Sequence, residues 1–425
     1  MDIFKRKPVN PFYDTINIPD EYFCDRKKET SDLIGKIKNG PNVVLVAERR
    51  VGKTSLLFHL FKSKEIRRQY NTVYVDVYNT KSPEDFINTF KQGLLDSDFS
   101  NSETLQIKEI TKEFSGKIGM NLPPFSVEAT ARTQKTINVE NTLGQLFEFL
   151  DRTTRPNLIV FDEFQEIEKY EEKITPQLRS FIQRLNNTRF IYSGSSAHQL
   201  TAMFTEHNKA FYKSSTLYGL DKIPMEAYSE FCQTTFAKYG KKIEPDAINL
   251  VYYLFKGITL DMQLMMKKVF EQAARDMVVD TDFVKSCVAM LLDEQDRGFS
   301  AKIHALEGKM QRNVLMAVSA EGVAENITSS AMIARYDLST ASHVQNAIKK
   351  LTGEDNLFLV KIAKGTYVLD NKFLELWIAR KMGILEQKFD YAKALFDKEQ
   401  EISERQVSFQ IKHPETMPFS LQDRK

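Results

Sequence analysis

The residues best suited to phosphate chemistry stand together at Ala47-Glu48-Arg49-Arg50-Val51-Gly52-Lys53-Thr54-Ser55. A glycine there lets the backbone close on an oxyanion, a lysine neutralises it, and a threonine hydroxyl can face a divalent cation. The segment follows the continuous apolar run Asn42–Val46 and precedes a helical pattern from Lys53 to about Ser63, so it reads as strand, loop, helix. In that context the loop amides and the helix N-terminus surround phosphates, and the expected ligand is ATP with Mg2+. Lys53 would reach the β- and γ-phosphates and Thr54 would face the Mg2+, with Glu48, Arg49, Arg50, Val51, Gly52 and Ser55 completing the cradle. Ala47 stands where a leading glycine is usual, a change expected to alter the opening turn modestly.

A second site follows the apolar run Leu158–Phe161, at Asp162-Glu163. Alone, such a pair is a common strand-to-loop transition. Beside a phosphate loop it is a catalytic pair, Asp162 holding the Mg2+ shell and Glu163 polarising the attacking water as a general base. Ser193-Gly194-Ser195-Ser196 ends another apolar strand, at the sheet edge where ligands of open α/β sheets bind. Ser193 or Ser195 would hold the γ-phosphate or its water, the alternative being a polar loop with a flexible glycine. Lys209 and Lys213 flank Phe211-Tyr212, and either could complete the phosphate charge balance or be an ordinary surface lysine.

These residues need elements to position them. Glu29–Lys38 reads as a short helix ended by Asn39-Gly40-Pro41, and strands are expected at Asn42–Val46, Thr72–Val77, Asn157–Phe161 and Arg189–Ser193. Helices are expected at Pro83–Leu95, with Ser82 as its cap, and at Thr142–Leu150. Strands alternating with helices predict a parallel sheet covered on both faces. Phe114–Val139 alternates around Pro123-Pro124 and is expected to be an inserted hairpin. From Met225 helices dominate, including the amphipathic stretch Met262–Met277. Further on, Lys302–Val318 reads as one helix, Thr328–Arg335 as a second behind the cap-like Asn326, and Ser339–Leu351 as a third. Strands at Leu357–Ile362 and Thr366–Leu369 complete the order of a winged helix-turn-helix. The expected domains are a core over 1–224, a helical lid over 225–298, a winged helix over 299–380, and a charged helix and tail over 381–425, loose after Ser403.

Together these motifs resemble the archaeal-type ATPases of the P-loop NTPases, related to the STAND and AAA+ families, with further similarity to origin-recognition initiator ATPases. The resemblance covers roughly Pro19–Ile378. It implies an α/β P-loop NTPase core, a helical lid and a C-terminal winged helix, with the nucleotide at the junction of core and lid. Tyr22-Phe23-Cys24-Asp25-Arg26 is similar to the family's aromatic-Gly-Arg segment, which places Phe23 and Arg26 near the adenine. Asp25 replaces the usual glycine, and Phe23 could equally be a core residue. Ala210-Phe211-Tyr212-Lys213 is similar to the family's stretch after its fourth strand, which often has an arginine near Lys213. Gly257-Ile258-Thr259 with Gln263 resembles its lid motif, commonly Gly-x-Pro. That motif holds no arginine, which tilts the resemblance toward the STAND side, where nucleotide exchange acts as a switch. The implied activity is slow ATP hydrolysis that converts nucleotide state into regulation or assembly.

The third winged-helix segment, Ser339 to Lys350, has an apolar stripe at Val344, Ala347, Ile348 and Leu351. Its other face carries Ser342, His343, Gln345, Asn346, Lys349 and Lys350. Such a face can enter the major groove of duplex DNA, with Lys361 and Lys364 of the wing on the backbone. The same module can dock a protein, and Gly353-Glu354-Asp355 nearby would repel phosphates. Both partners stay open. A homo-oligomer is also compatible with the sequence, since Arg179, Arg184 and Arg189 are available to act across a subunit interface.

Composition bounds these readings. With 425 residues, 42% hydrophobic and 27% charged, the chain is long enough for two or three globular domains. A formal net charge of +2 excludes whole-chain attraction to nucleic acid, so any such contact must be local. Cys24, Cys232 and Cys287 show no disulfide or zinc spacing, and His59, His198, His304 and His343 have no ligand partners in the pattern. Mg2+ is therefore the only metal expected. No apolar run approaches the ~20 residues of a membrane span, and Met1–Asp14 lacks a signal-type apolar stretch, so a cytoplasmic protein is expected.

Overall fold

A computed structural model describes residues 9–112, 139–171, 173–353 and 357–395. They form two compact units, one over Thr15–Ile223 and one made by the described residues of Pro224–Lys425 with those of Met1–Asp14. The first runs α1 (Lys27–Asn39), β1 (Asn42–Ala47), α2 (Lys53–Lys62), α3 (Lys64–Gln69), β2 (Asn71–Asp76), α4 (Pro83–Leu95), α5 (Asn101–Ile110), α6 (Val139–Arg152), β3 (Asn157–Asp162), α7 (Thr175–Ile182), β4 (Thr188–Gly194), α8 (Ala197–Thr205) and β5 (Ser215–Leu220).

The five strands make one parallel sheet in the order β2-β3-β4-β1-β5. All six residues of β3 are buried, as a central strand covered on both faces requires. β5, at the edge, shows mixed burial and no apolar run, which is why the sequence does not announce it. Phe161, Phe190 and Tyr192 stack across the sheet, and Phe86, Phe90 and Phe147 pack on them from α4 and α6. This is the core that the phenylalanine-rich composition fills. The Ser82 hydroxyl accepts from Asp85 N and caps α4 as expected.

The second unit contains α9 (Met225–Lys238), β6 (Lys242–Ile243), α10 (Pro245–Leu254), α11 (Thr259–Gln272), β7 (Val278–Val279) and α12 (Thr281–His304). The paired two-residue strands β6 and β7 interrupt what the sequence suggests is wholly helical. The described residues up to Asp14, grouped above with the core, pack in this unit instead. Phe12 sits among Phe231, Phe236 and Phe270, Asp14 pairs with Lys267 at 3.0 Å, and the Asn10 amide donates to Lys267 O.

The winged helix follows as α13 (Lys309–Glu321), β8 (Ala324–Glu325), α14 (Ser330–Arg335), α15 (Ala341–Leu351), β9 (Leu359–Ala363), β10 (Thr366–Leu369) and α16 (Lys372–Lys381), with sheet order β8-β10-β9. The expected single helix Lys302–Val318 is two, because α12 ends at His304 and Gly308 opens α13, its N–H held by Gln311 Oε1 at 3.2 Å. Asn326 is not the cap of α14. Its φ is 48° and its N–H reaches Gly365 O, while the Ser329 hydroxyl accepts from Met332 N. The stripe Val344, Ala347, Ile348 and Leu351 is buried, and the opposite face of α15 is exposed. Residues 385–395 form a further helix. The expected inserted hairpin, apart from Val139 at the start of α6, lies outside the described residues, as do Glu354, Asp355 and the tail beyond residue 395. Among the described residues, no helix is long and apolar enough to cross a membrane.

One contact in the first unit is unusually close. A Cβ on Gly93 of α4 would lie 2.5 Å from Tyr74 O and 3.0 Å from Val75 Cγ2 of β2. Gly93→Ala should therefore destabilise the first unit by about 1–3 kcal/mol, read from its denaturant midpoint.

Candidate nucleotide site

The parallel register brings the motifs to one edge of the sheet. β4 lies between β1 and β3, and Asp76 of β2 pairs with Asp162 of β3. Ser193 of β4 pairs with Leu45 of β1, and Tyr192 beside it pairs with Phe161. Asp76, Asp162 and Ser193 thus end neighbouring strands, and the loop after β1 opens onto the same edge.

Ala47 is the last residue of β1, in register with Leu220, where ordinary extended backbone suits alanine as well as glycine. The left-handed positions come later, at Arg50 (φ 65°) and Gly52 (φ 92°). Gly52 caps α2 with no side chain bonded across that cap, so amides at the first turn stay directed at the loop. Glu48 and Arg49 are exposed, Arg50 half-buried and Val51 buried. Glu48 pairs with Lys222 at 3.2 Å.

At the centre stands Lys53, 8% exposed, its Nζ 3.0 Å from Asp162 Oδ1 and 3.2 Å from Glu163 Oε1. Asp162 Oδ2 accepts from Thr54 Oγ1 at 3.0 Å and from Tyr74 OH at 2.8 Å, while Oδ1 accepts from Ser193 Oγ at 2.5 Å. Glu163 Oε2 accepts from Ser195 N at 3.0 Å, Ser195 Oγ at 2.8 Å and Gln165 Nε2 at 2.7 Å. Glu163 itself has φ 54°, a left-handed kink that turns the chain out of β3.

Burial pushes the Asp162 carboxyl up, but Lys53, Ser193 and Tyr74 outweigh it and hold the group below its ordinary value. Glu163 follows the same balance, burial raising it and Lys53, Ser195 and Gln165 lowering it further. Burial raises Asp76, helped by the charges of Asp162 and Glu163. Tyr74 is raised too, by burial and then by Asp162, so its hydroxyl stays a donor.

One ammonium between two ionised carboxylates leaves local negative charge beside a threonine hydroxyl. That donor set, hard oxygens from Thr54 and Asp162 at 3.0 Å from each other, fits Mg2+. Among the described residues, no group of three or more His, Cys, Asp or Glu is placed to hold a metal by itself, so phosphate and water would have to share the shell.

Other expected residues are placed differently. Ser193 is fully buried and donates to Asp162, so its hydroxyl is committed to a carboxylate rather than to a phosphate. Phe23 stacks on His59, with ring centroids 4.1 Å apart. Asp25 and Arg26 have φ 55° and 69°, which explains why glycine is usual at the first of them and why aspartate is tolerated. Arg26 is buried, bonded to Glu29 and to Val51 O, and thereby ties this segment to the phosphate loop. Lys209 pairs with Glu168, and Lys213 lies over the Tyr212 ring. Arg184 donates to Ser180, and Arg189 to Asn186 O and Thr188 O. Tyr74 and Gln165 belong to no motif. Only the alternating burial of β2 hints that Tyr74 faces a site.

Residues 23–265 match a family of ATPase domains predominantly from Archaea, and residues 299–380 match a winged helix domain family. An uncharacterised ATP-binding protein of Methanocaldococcus jannaschii is 24% identical over 157 residues, which cover 34% of this chain and 43% of that protein. The chain therefore matches less than half the length of that relative. The Walker-type ATPase of Pyrococcus abyssi superposes with a TM-score of 0.54 at 14% identity, over 85% of this chain and 99% of that one. The ORC2 protein of Aeropyrum pernix, solved in ADPNP–ADP complexes, does so with a TM-score of 0.54 at 15% identity, over 90% and 98%. At these identities the likeness is one of fold.

Lys53→Met should destabilise the first unit at pH 7 by about 3–5 kcal/mol, because it leaves buried carboxylates uncompensated. In the wild type the depressed Asp162 and Glu163 supply stability that is full above the ordinary carboxylate range and lost as pH falls through their folded values. In the variant the Lys53 charge is gone while burial and the hydrogen bonds from Ser193, Tyr74, Ser195 and Gln165 remain, so acidification from pH 7 toward 5 should cost the variant less stability than it costs the wild type. Denaturant titrations at both pH values read this difference.

Proposed function

Because the chain belongs to the archaeal-type ATPase domain family and carries a C-terminal winged helix domain, we propose that it binds ATP with Mg2+ and hydrolyses it slowly as a nucleotide-driven switch. The carrying observation is the convergence of Lys53, Thr54, Asp162 and Glu163 at one strand edge. ATP phosphates would lie against the loop Glu48–Gly52 and the first turn of α2, where Lys53 meets the γ-phosphate. Phe23 would flank the base, while Arg26 would keep its hold on Val51 of the loop. Thr54 and Asp162 would hold Mg2+, which would offset charge on the phosphate oxygens.

Glu163 is the general base of this reading. The attacking water gives its proton to the Glu163 carboxylate as its oxygen bonds the γ-phosphorus, and the bond to the bridging oxygen breaks with its electron pair leaving on ADP. Once the γ-phosphate has gone, Lys53 is free to return to Asp162 and Glu163, so nucleotide state is written into the loops after β1, β3 and β4. The winged helix is the output module, and its role is regulation or assembly.

A second reading rests on α15, whose exposed face carries Gln345, Asn346, Lys349 and Lys350. In that reading the output partner is duplex DNA, and ATP closes the protein on it. Lys350 pairs with Glu307 at 3.3 Å, which reduces the charge available to phosphates and favours protein docking.

Single-turnover hydrolysis tests both. Glu163→Gln should abolish turnover while ATP still binds, and Lys53→Ala should abolish binding; measurable ATP affinity in the latter refutes this placement of the site. Acceleration of the wild type by mixed-sequence duplex that falls steeply with salt would make DNA the partner, and indifference to DNA would favour a protein.

A further inference from the structure

The carboxylate assigned as general base is held by side chains that no phosphate-loop motif supplies. Glu163 Oε2 accepts the Ser195 amide, the Ser195 hydroxyl and Gln165 Nε2, while Oε1 faces Lys53. With so many donors on one oxygen, the carboxylate cannot rotate without breaking several charge-assisted bonds.

Gln165 is the unusual member of this set. It lies on the 3-10 turn Phe164–Lys169 directly after Glu163, is 4% exposed, and its Oε1 is buried without a hydrogen-bond partner. The space for that amide comes from the neighbouring strand. A Cβ on Gly194 would lie 2.0 Å from Gln165 Oε1 and 3.0 Å from Cδ. Gly194 has no left-handed backbone angle to explain it. Its missing side chain is what admits the glutamine.

We infer that Gln165 is a positioning residue for Glu163, which orients the carboxylate toward the attacking water, and that residue 194 is glycine in order to seat it. This rests on the hydrolytic reading above. Gln165 touches neither nucleotide nor the reacting atoms in this arrangement and acts through Glu163. The loop after β4 takes part because it supplies both Ser195 and Gly194.

The test is a double-mutant cycle of Gln165→Ala and Gly194→Ala, read by kcat, KM and the melting temperature of the nucleotide-free protein. Gln165→Ala should lower kcat by about 10-fold or more with KM changed by less than about two-fold, the signature of a misplaced catalytic group rather than lost binding. Gly194→Ala in the wild-type background should lower both kcat and melting temperature. In the Gln165→Ala background, where the opposing amide is gone, it should change neither appreciably. Gln165→Asn, which keeps the donor on a shorter arm, should recover part of kcat.

An unchanged kcat in Gln165→Ala, or a Gly194→Ala effect of equal size in both backgrounds, overturns the inference while leaving the ATPase reading intact. Absence of Glu163-dependent turnover in the wild type overturns that reading and this inference with it. The melting-temperature arm of the cycle still reports whether residue 194 must be small to seat Gln165.

Discussion

A lysine ammonium buried between two carboxylates is the constraint on which the rest of the first unit turns. Burying Lys53 without Asp162 and Glu163 would be costly, and burying either carboxylate without Lys53 would remove the largest influence that favours its ionised form. The three charges come from different parts of the chain, Lys53 at the start of α2 and the acids at the end of β3. Strands β1 and β3 are not neighbours. β4 lies between them, and its end and the residues just past it sit beside the acids of β3. Hence Ser193 bonds Asp162 and Ser195 bonds Glu163.

The same arrangement explains why the site is poised. Each carboxylate has its oxygens filled by donors from the protein itself, and Lys53 is shared between the two. In the proposed reading an arriving phosphate would compete with the carboxylates for that ammonium and would loosen the cluster. In the same reading a change of nucleotide would change the internal bonding of three adjacent loops. Tyr74 extends the cluster to β2, so the close approach of α4 at Gly93 supports the site from behind.

The second unit follows a different logic. α15 buries an apolar stripe and leaves a polar face free, while two-residue strands and capped short helices form the connections. The polar face of α15 mixes amides, hydroxyls, histidine and lysine rather than presenting a strongly basic stripe.

Strong local signals carried much of the fold. The runs expected as strands became β1 to β4, the Ser82 cap opens α4, Gly52-Lys53-Thr54 lies between a strand and a helix as expected, and Asp162-Glu163 stands at the end of β3. Features without a local pattern were illegible: β5, half-exposed at an edge; the break at Gly308, across which the apolar period continues; and the attachment of Phe12 to α9 and α11. By itself, then, the sequence determined where the strand-loop-helix segment and the acidic strand end lie, because each is written into one short stretch of chain. Only the tertiary structure decided that Tyr74 joins Asp162, that Ser193 faces a carboxylate and that Gln165 and Gly194 frame Glu163, since those contacts depend on strand order and on distances across the sheet that no spacing along the chain encodes.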